Sequence, residues 1–258
     1  MMQAQILKHL KNHPWGELVQ VHEELDSTNT YAKELARQGA PEGTVVIAKS
    51  QCAGRGRLGR SFHSPKDSGL YFSLILRPNC PADQLMHLTC AVAVAACDAV
   101  AQTCGLRPKI KWINDLTLRN KKLGGILTEL VFEPNGTVSA AVVGIGINCR
   151  TTVFPEELKN LACCLEEVDP GILAANLILS LETMNHQLFS HRKQIMERYR
   201  QNCVTLGKQV RVISPTGTET GLAETVLENG ALQVLFDSGM RREVNSGEVS
   251  VRGLWDYI

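Results

Sequence analysis

The sequence predicts an α+β fold: a larger domain of interleaved helices and strands, followed by a small all-strand barrel. Three observations predict it. Up to about residue 200, apolar residues recur both at the helical spacing and at the alternating spacing of strands. From Gly207 the pattern changes to short strands, roughly ten residues apart, with Asn229-Gly230 and Asp237-Ser238-Gly239 as turns. The length of 258 residues suits one large domain or a large one plus a small one, and 44% hydrophobic residues can bury a core. The boundary falls near Cys203–Gly207, which divides the chain into residues 1–204 and 205–258.

In chain order, Met1–Asn12 reads as a short helix and Leu18–Leu25 as a strand. Asp26-Ser27-Thr28-Asn29 suits a helix N-cap, and Thr30–Gln38 reads as a helix closed by Gly39. Thr44–Ala48 is a strand, Gln51–Arg60 a loop, and Gly69–Arg77 another strand. Pro81 and Asp83 open a helix that runs to Gln102 and stops at Gly105. Lys109–Ile113 alternates charged and apolar residues, and Asn114-Asp115 makes a bend. Leu116–Leu118 and Ile126–Phe132 are strands around a basic turn, Arg119–Lys122. Pro134-Asn135-Gly136 is a tight turn before a long strand, Val138–Asn148. Asp169-Pro170 caps a helix to about Arg200.

Several classes of function lose their signature. A net charge of +1 argues against a surface that holds nucleic acid or anionic lipid, so an anion site must be local. Met1–Gly16 has no continuous apolar core and is no secretory signal. Leu85–Val100 contains His87 and Asp98 and reads as a buried helix rather than a membrane span. The nine cysteines form no C-x-x-C pair, which fits reduced thiols in a cytosol. Cys163-Cys164 reads as packing. No H-E-x-x-H, G-x-S-x-G or G-x-x-x-x-G-K-[ST] occurs.

Gly54-Arg55-Gly56-Arg57-Leu58-Gly59 fits G-x-G-x-x-G after a strand. A dinucleotide site needs a helix to begin inside that motif, and Arg60–Gly69, with Pro65, has no helical period. What remains is three arginines in the six residues 55–60, on a backbone whose glycines let N–H groups approach an anion. Arginine's planar fork matches phosphate and carboxylate. Such a loop is costly to order without a ligand, so it reads as mobile when empty and closed over a phosphorylated species. Against this stands a plain solvated basic loop. Asp115 is a candidate metal ligand or charge-orienting group, or part of a turn only. Lys121 or Lys122, ahead of Gly124-Gly125, aims a cation into a cleft or sits in solvent. Gly144 and Gly146 weaken a strand unless something approaches its backbone closely, and Asn148 ends that strand with a polar group.

The order of these pieces is more specific than any one of them. Gln51-x-Ala53-Gly54-Arg55-Gly56-Arg57-x-Gly59-Arg60, then Lys111-Trp112-x-Asn114-Asp115, then Lys122-Leu123-x-Gly125-Ile126-Leu127-x-Glu129, then Gly144-Ile145-Gly146-Ile147-Asn148, closely resembles biotin protein ligases, from about residue 20 to the C-terminus. Ser27-Thr28-Asn29 fits the family's early motif. Phe62 stands where the family often has Trp, and Ile113 where it often has Pro.

The resemblance implies a mixed sheet flanked by helices, akin to class II aminoacyl-tRNA synthetases, with an SH3-like barrel at the C-terminus. It implies ATP with Mg²⁺ as co-substrate and ion, and biotin as substrate. Ser27, Thr28 and Gln51 would hold biotin's polar ring, with Asn29, Gly54, Gly125 and Gly144 beside them. Arg55, Gly56 and Arg57 would face the carboxylate and the adenylate phosphate, and Lys122 would bridge the two. Arg60, Phe62, Lys111, Asn114, Asp115 and Asn148 would serve the nucleotide, with Asp115 toward the metal. Lys122, Arg57 and Asp115 would carry the chemistry. The implied partner is the carrier domain of a biotin-dependent carboxylase. Some members also repress transcription through an N-terminal helix-turn-helix domain. About 18 residues precede the first strand, too few for a three-helix DNA-reading unit, so a cytoplasmic ligase without DNA or membrane partners is expected. A homodimer stays open. A lipoate or octanoate ligase shares the adenylate logic, and a nucleic-acid-binding module is the other alternative class.

The loop reading makes a direct prediction. Hydrogen exchange across residues 54–64 slows when biotin and ATP are added together; unchanged exchange would exclude a closing loop.

Overall fold

The structure, a computed structural model, describes residues 2–150, 154–166, 168–215, 217–245 and 250–253. The sequence-based expectations for Met1 and for residues 254–258 lie outside these. α1 (Met2–Leu10) leads through a 3-10 turn (Pro14–Leu18) into β1 (Val19–Leu25). Next come α2 (Thr28–Arg37), β2 (Val45–Gln51) and β3 (Gly69–Leu76). A 3-10 turn (Ala82–Leu85) precedes α3 (Leu88–Cys104), which ends at Gly105 with φ 74°. β4 (Lys109–Lys111), β5 (Asp115–Leu118), β6 (Lys121–Phe132) and β7 (Val138–Asn148) complete a seven-stranded sheet in the order β1-β2-β3-β7-β6-β5-β4. β1 and β2 run parallel and the other neighbours antiparallel, so the sheet is mixed, as expected. After α4 (Pro170–Gln187) and α5 (Arg192–Asn202) comes the small antiparallel sheet of the SH3-like part. It holds β8 (Gln209–Ser214), β9 (Gly217–Val226), β10 (Leu232–Phe236), β11 (Arg241–Val244) and β12 (Ser250–Gly253).

The two faces of the large sheet are used differently, because successive side chains on a strand point opposite ways. Val143, Ile145 and Ile147 of β7, with Leu70, Phe72 and Leu74 of β3, join the main core with α3 and α4. The opposite face carries Val46, Ile75, Val131, Ala140 and Val142, a second cluster that packs against Ala32 and Ala36 of α2. From the first turn of α2 onward, this second face loses its large side chains at Gly125, Gly144 and Gly146, and that gap is where a ligand site can form. α3 is apolar almost all round. Ala82–Cys104 is long and apolar enough to cross a membrane by composition, but 72% of its apolar window is buried inside the protein, as expected of a core helix.

Five details differ from the sequence reading. α2 begins at Thr28, because Ser27 caps it by accepting from the Thr30 N–H at 3.5 Å, which turns Thr28 and Asn29 inward. β6 begins at Lys121, since the turn is only Arg119-Asn120, both at positive φ (52° and 60°). Gly124 and Gly125 hid that extension by their low strand propensity, which pairing with β5 and β7 overrides. Gln51 closes β2 instead of opening the loop, and Asp115 opens β5 instead of sitting in the bend. The single helix expected from Pro170 to Arg200 is two helices. The break spans Leu188–His191, where the buried Leu188 carbonyl accepts from His87 Nε2 at 2.9 Å.

The small sheet is tied to the large one at Trp112. The indole Nε1 donates to the Gly230 carbonyl (3.0 Å), and the Trp112 N–H donates to Thr205 Oγ1 (2.9 Å). Val204 N–H donates to the Ile110 carbonyl (2.8 Å) and Arg200 Nη1 to the Val226 carbonyl (2.9 Å). Trp112→Phe strands a buried carbonyl and is expected to lower stability by about 1–3 kcal/mol, read by urea unfolding.

Candidate active site

A cavity of about 580 Å³ opens over the bare part of the sheet. Its floor is three glycines on one face: Gly144 and Gly146 of β7, and Gly125 of β6, which lies directly opposite Gly146. At the two β7 glycines something already occupies the space of a side chain, whereas at Gly125 a Cβ would make ordinary contacts. A Cβ on Gly144 would overlap the Asn29 amide, and one on Gly146 would overlap the Phe62 ring. One on Gly125 would lie 3.6 Å from Asp115 Oδ1 and 3.7 Å from Lys122 Nζ.

One end of the cavity is a satisfied polar network. Gln51 Oε1 accepts from the Thr28 N–H (2.9 Å) and hydroxyl (3.2 Å), while its Nε2 donates to Ser64 Oγ (2.8 Å). Ser73 Oγ lies 2.8 Å from Thr28 Oγ1 and 2.6 Å from Asn29 Oδ1. Asn29 Nδ2 donates to the Leu127 carbonyl (3.1 Å) and to Glu129 Oε2 (2.9 Å). Glu129 also pairs with Lys33 at 2.7 Å and, at 3.5 Å, with Arg55 of the Gly–Arg loop. Burial alone would raise the Glu129 carboxyl, but the bonds from Lys33 and Asn29 hold it below the usual carboxylate range.

The other end is cationic. Lys122 Nζ lies 2.7 Å from Asp115 Oδ1, which aims the ammonium across Gly125. Arg57 Nη1 donates to Asn114 Oδ1 (3.1 Å), and Asn114 Nδ2 donates back to the Ile126 carbonyl (2.9 Å). Burial lowers the Arg57 pKa; Asp115 opposes that shift and neighbouring Arg60 adds to it. Asn148 Nδ2 donates to the Cys163 carbonyl at 2.9 Å, which fastens the 158–165 segment over this end. The Gly–Arg loop closes on itself through an Arg55–Ser61 bridge and the Gly56 N–H to the Arg60 carbonyl (2.7 Å). It contains a short 3-10 turn (Arg57–Gly59) and no helix follows, as the sequence requires. A second cavity of about 320 Å³ lies against the loop at Thr89, Thr128 and Glu129, so the loop has open space on both sides.

The comparisons with known proteins agree with this geometry. Residues 21–148 match the biotin/lipoate A/B protein ligase family, and residues 205–252 the biotin protein ligase C-terminal domain. A bifunctional ligase/repressor BirA of Bacillus subtilis is 34% identical over 253 residues, covering 94% of this chain and 77% of that protein. A biotin–[acetyl-CoA-carboxylase] ligase of Mycobacterium tuberculosis is 32% identical, covering 91% and 89%. A biotin protein ligase from Aquifex aeolicus, solved in complex with biotin and ATP, superposes with a TM-score of 0.78 at 28% identity, covering 91% of this chain and 98% of that one. The chain belongs to the biotin protein ligase family.

Of the ligase residues expected from sequence, Ser27, Thr28, Asn29, Gln51, Arg55, Gly56, Arg57, Arg60, Phe62, Lys111, Asn114, Asp115, Lys122, Gly125, Gly144 and Asn148 all line the one cavity. Gly54 does not. It is set back inside the loop, where a Cβ would crowd the Phe62 carbonyl and Ser64 Oγ, so it shapes the loop rather than the cavity wall. Phe62 lies on Gly146, edge-on to Tyr71 at 6.4 Å. Sequence reasoning missed Tyr71, Trp112, Leu127, Leu158, Leu161 and Arg211, which also line the cavity. Alternation could have flagged Tyr71 and Leu127. Nothing local could have flagged Arg211, which arrives from the second sheet.

The Glu129 network predicts a pH dependence. Because the folded carboxyl sits below its ordinary 4.5, its contribution is fully present above that value and is lost as pH falls through the depressed folded value. The stability gap between wild type and Glu129→Gln should therefore be steady at neutral pH and close in that acid window. Urea titrations of both proteins from neutral pH downward measure it.

Proposed function

We propose that this enzyme joins biotin to ATP, giving biotinyl-5′-AMP and pyrophosphate, and then passes biotin to a lysine of a carboxylase's biotin carboxyl carrier domain. The observation that carries the reading is Lys122, held by Asp115 over bare backbone in a cavity that Arg57 also lines. A carboxylate is a poor electrophile at neutral pH. In the first step its oxygen attacks the α-phosphorus, an O–P bond forms, and the bond to the β-phosphate breaks. Negative charge gathers on phosphate oxygens, where cations fixed in advance lower the barrier. Lys122 bridges carboxylate and α-phosphate, and Arg55 and Arg57 hold the intermediate. In the second step a carrier lysine, with a reference pKa of about 10.4, loses a proton and attacks the acyl carbon. An amide forms and AMP leaves.

The polar end, Thr28 and Gln51 with Ser27 and Asn29, suits the donors and acceptors of biotin's ring. Arg60, Lys111, Asn114, Asn148 and Phe62 suit the nucleotide. Among the described residues, Asp115 is the one carboxylate that lines the cavity, and no cluster of three metal-ligating side chains occurs. That fits a Mg²⁺ ion that takes a single carboxylate and completes its shell with phosphates and water. Such an ion would neutralise the leaving phosphates, and Asp115 is the side chain placed to hold it. The mixed anhydride is lost if water reaches it, which gives the loop its purpose as a lid. Residues 1–204 form the catalytic unit and 205–258 the C-terminal one. We place the enzyme in the cytoplasm and leave a homodimer as a testable state.

Biotin-dependent ATP–pyrophosphate exchange tests the reading. Wild type should exchange with biotin and not with lipoate; exchange supported by lipoate instead would overturn the substrate. Lys122→Ala should lower the rate by at least about 100-fold, the scale of losing one preorganised stabiliser. A near-wild-type rate would remove Lys122 from the chemistry.

A further inference from the structure

The polar end of the cavity is a chain of hydrogen bonds, and each end of the chain is fixed by groups that can only accept. At one end Ser64 Oγ donates to the Phe62 carbonyl (2.9 Å), so its oxygen receives Gln51 Nε2 (2.8 Å). That turns Gln51 Oε1 toward Thr28, whose N–H it accepts at 2.9 Å. At the other end the Leu127 carbonyl and the Glu129 carboxylate both receive Asn29 Nδ2, at 3.1 and 2.9 Å. Burial of Glu129 is outweighed by the bonds from Lys33 and Asn29, so its carboxylate is ionised at neutral pH. Asn29 must therefore present its oxygen to Ser73, whose hydroxyl donates to it at 2.6 Å.

Between the two ends stands Thr28. A hydroxyl carries one hydrogen. With the Ser73 hydrogen committed to Asn29, the 2.8 Å contact between Ser73 Oγ and Thr28 Oγ1 can hold only a hydrogen from Thr28. The other acceptor within reach is Gln51 Oε1, at 3.2 Å. In both cases Thr28 donates into the protein, and its lone pairs are left for a ligand. Thr28, Asn29 and Ser73 are all buried, so protein groups rather than bulk water set the sense of the chain. Among the described residues Thr28 lines the large cavity and Glu129 does not.

Resting on the function proposed above, we propose that Glu129 is a positioning residue for substrate choice: through Asn29 and Ser73 it keeps the Thr28 hydroxyl an acceptor, and so selects an acid whose ring carries N–H donors. A dithiolane ring, which has no N–H, offers Thr28 nothing.

Glu129→Gln reverses the relay, because the two carboxylate oxygens have different partners. Oε1 is bound by Lys33 (2.7 Å) and Oε2 by Asn29. Lys33 can only donate, so it holds the amide oxygen of the glutamine and leaves an NH2 facing that of Asn29. Asn29 turns over, Ser73 turns its hydrogen to Thr28, and a Thr28 lone pair is filled from inside.

The probes are biotin and its two cyclic carbamate analogues, each with one ring N–H replaced by oxygen, bound to the full chain in a calorimeter. Wild type should bind one carbamate at least about 100-fold more weakly than biotin, since oxygen lone pairs then meet those of Thr28. In Glu129→Gln that preference should fall about tenfold, the scale of one hydrogen bond. In a Ser73→Ala background the same change should move it by less than about twofold, because Thr28 then donates to Gln51 and no hydroxyl remains to turn. Freeing Arg55 from Glu129 affects every ligand alike and cancels in the ratio. The proposal fails if wild type binds biotin and both carbamates equally, or if a folded Glu129→Gln keeps the wild-type preference. It also fails if the preference falls as far without Ser73 as with it. Should Glu129→Gln melt early, Asn29→Ala decides on the same ratio with the same outcomes, since it too frees the Ser73 hydrogen. Failure of the broader reading looks different: wild type itself would then bind no biotin.

Discussion

The site depends on one constraint: the middle of a packed sheet must carry no side chains on one face. Gly125, Gly144 and Gly146 meet it together, because the register places Gly125 opposite Gly146, and Gly144 two residues along the same strand. A methyl group at Gly144 or Gly146 would collide with Asn29 or Phe62. Glycine is unfavourable in strands, costing up to about 1 kcal/mol relative to alanine. The opposite face compensates, for there Val143, Ile145 and Ile147 are fully packed against α3 and α4. The same two strands thus serve as core on one side and as floor on the other.

Above that floor the polar groups divide by chemistry. At one end, Thr28, Asn29, Gln51, Ser64 and Ser73 satisfy one another, and Glu129 is balanced by Lys33 and Asn29. This end is preorganised and nearly neutral, which suits a polar but uncharged ring. The other end collects cations, and burial disfavours the charge on Arg57. The Gly–Arg loop spans the two ends: Arg55 reaches the Glu129 network, while Arg57 reaches Asn114. A movement of this one segment therefore changes the electrostatics of both halves.

The small sheet is more than an appendage to this arrangement. Trp112 lies in a segment that lines the cavity, and its indole and backbone bond the second sheet. Arg200 and Val204 add further bonds across the same boundary. Fixing the second sheet through residues of the cavity wall makes its position a property of the active site.

The sequence by itself determined the class of fold, the change to short strands after Gly207 and the motif residues that surround the cavity. These are legible because strand and helix periods, turn residues and the Gly–Arg run are local patterns. The α2 start, the Lys121 start of β6 and the break at Leu188 were not legible. Each depends on pairing the local pattern does not show: Thr28 and Asn29 bonded inward to Gln51 and Ser73, Lys121 and Lys122 paired with β5, and His87 at the N-cap of α3. The cavity residues divide in the same way. Asp115, Lys122 and Arg57 could be named from their motifs, but the Lys122–Asp115 pair, the setting back of Gly54 and the arrival of Arg211 were decided only by tertiary structure. A motif specifies which groups are present, whereas which of them meet across a cleft is set by the packing of sheets that are remote in sequence.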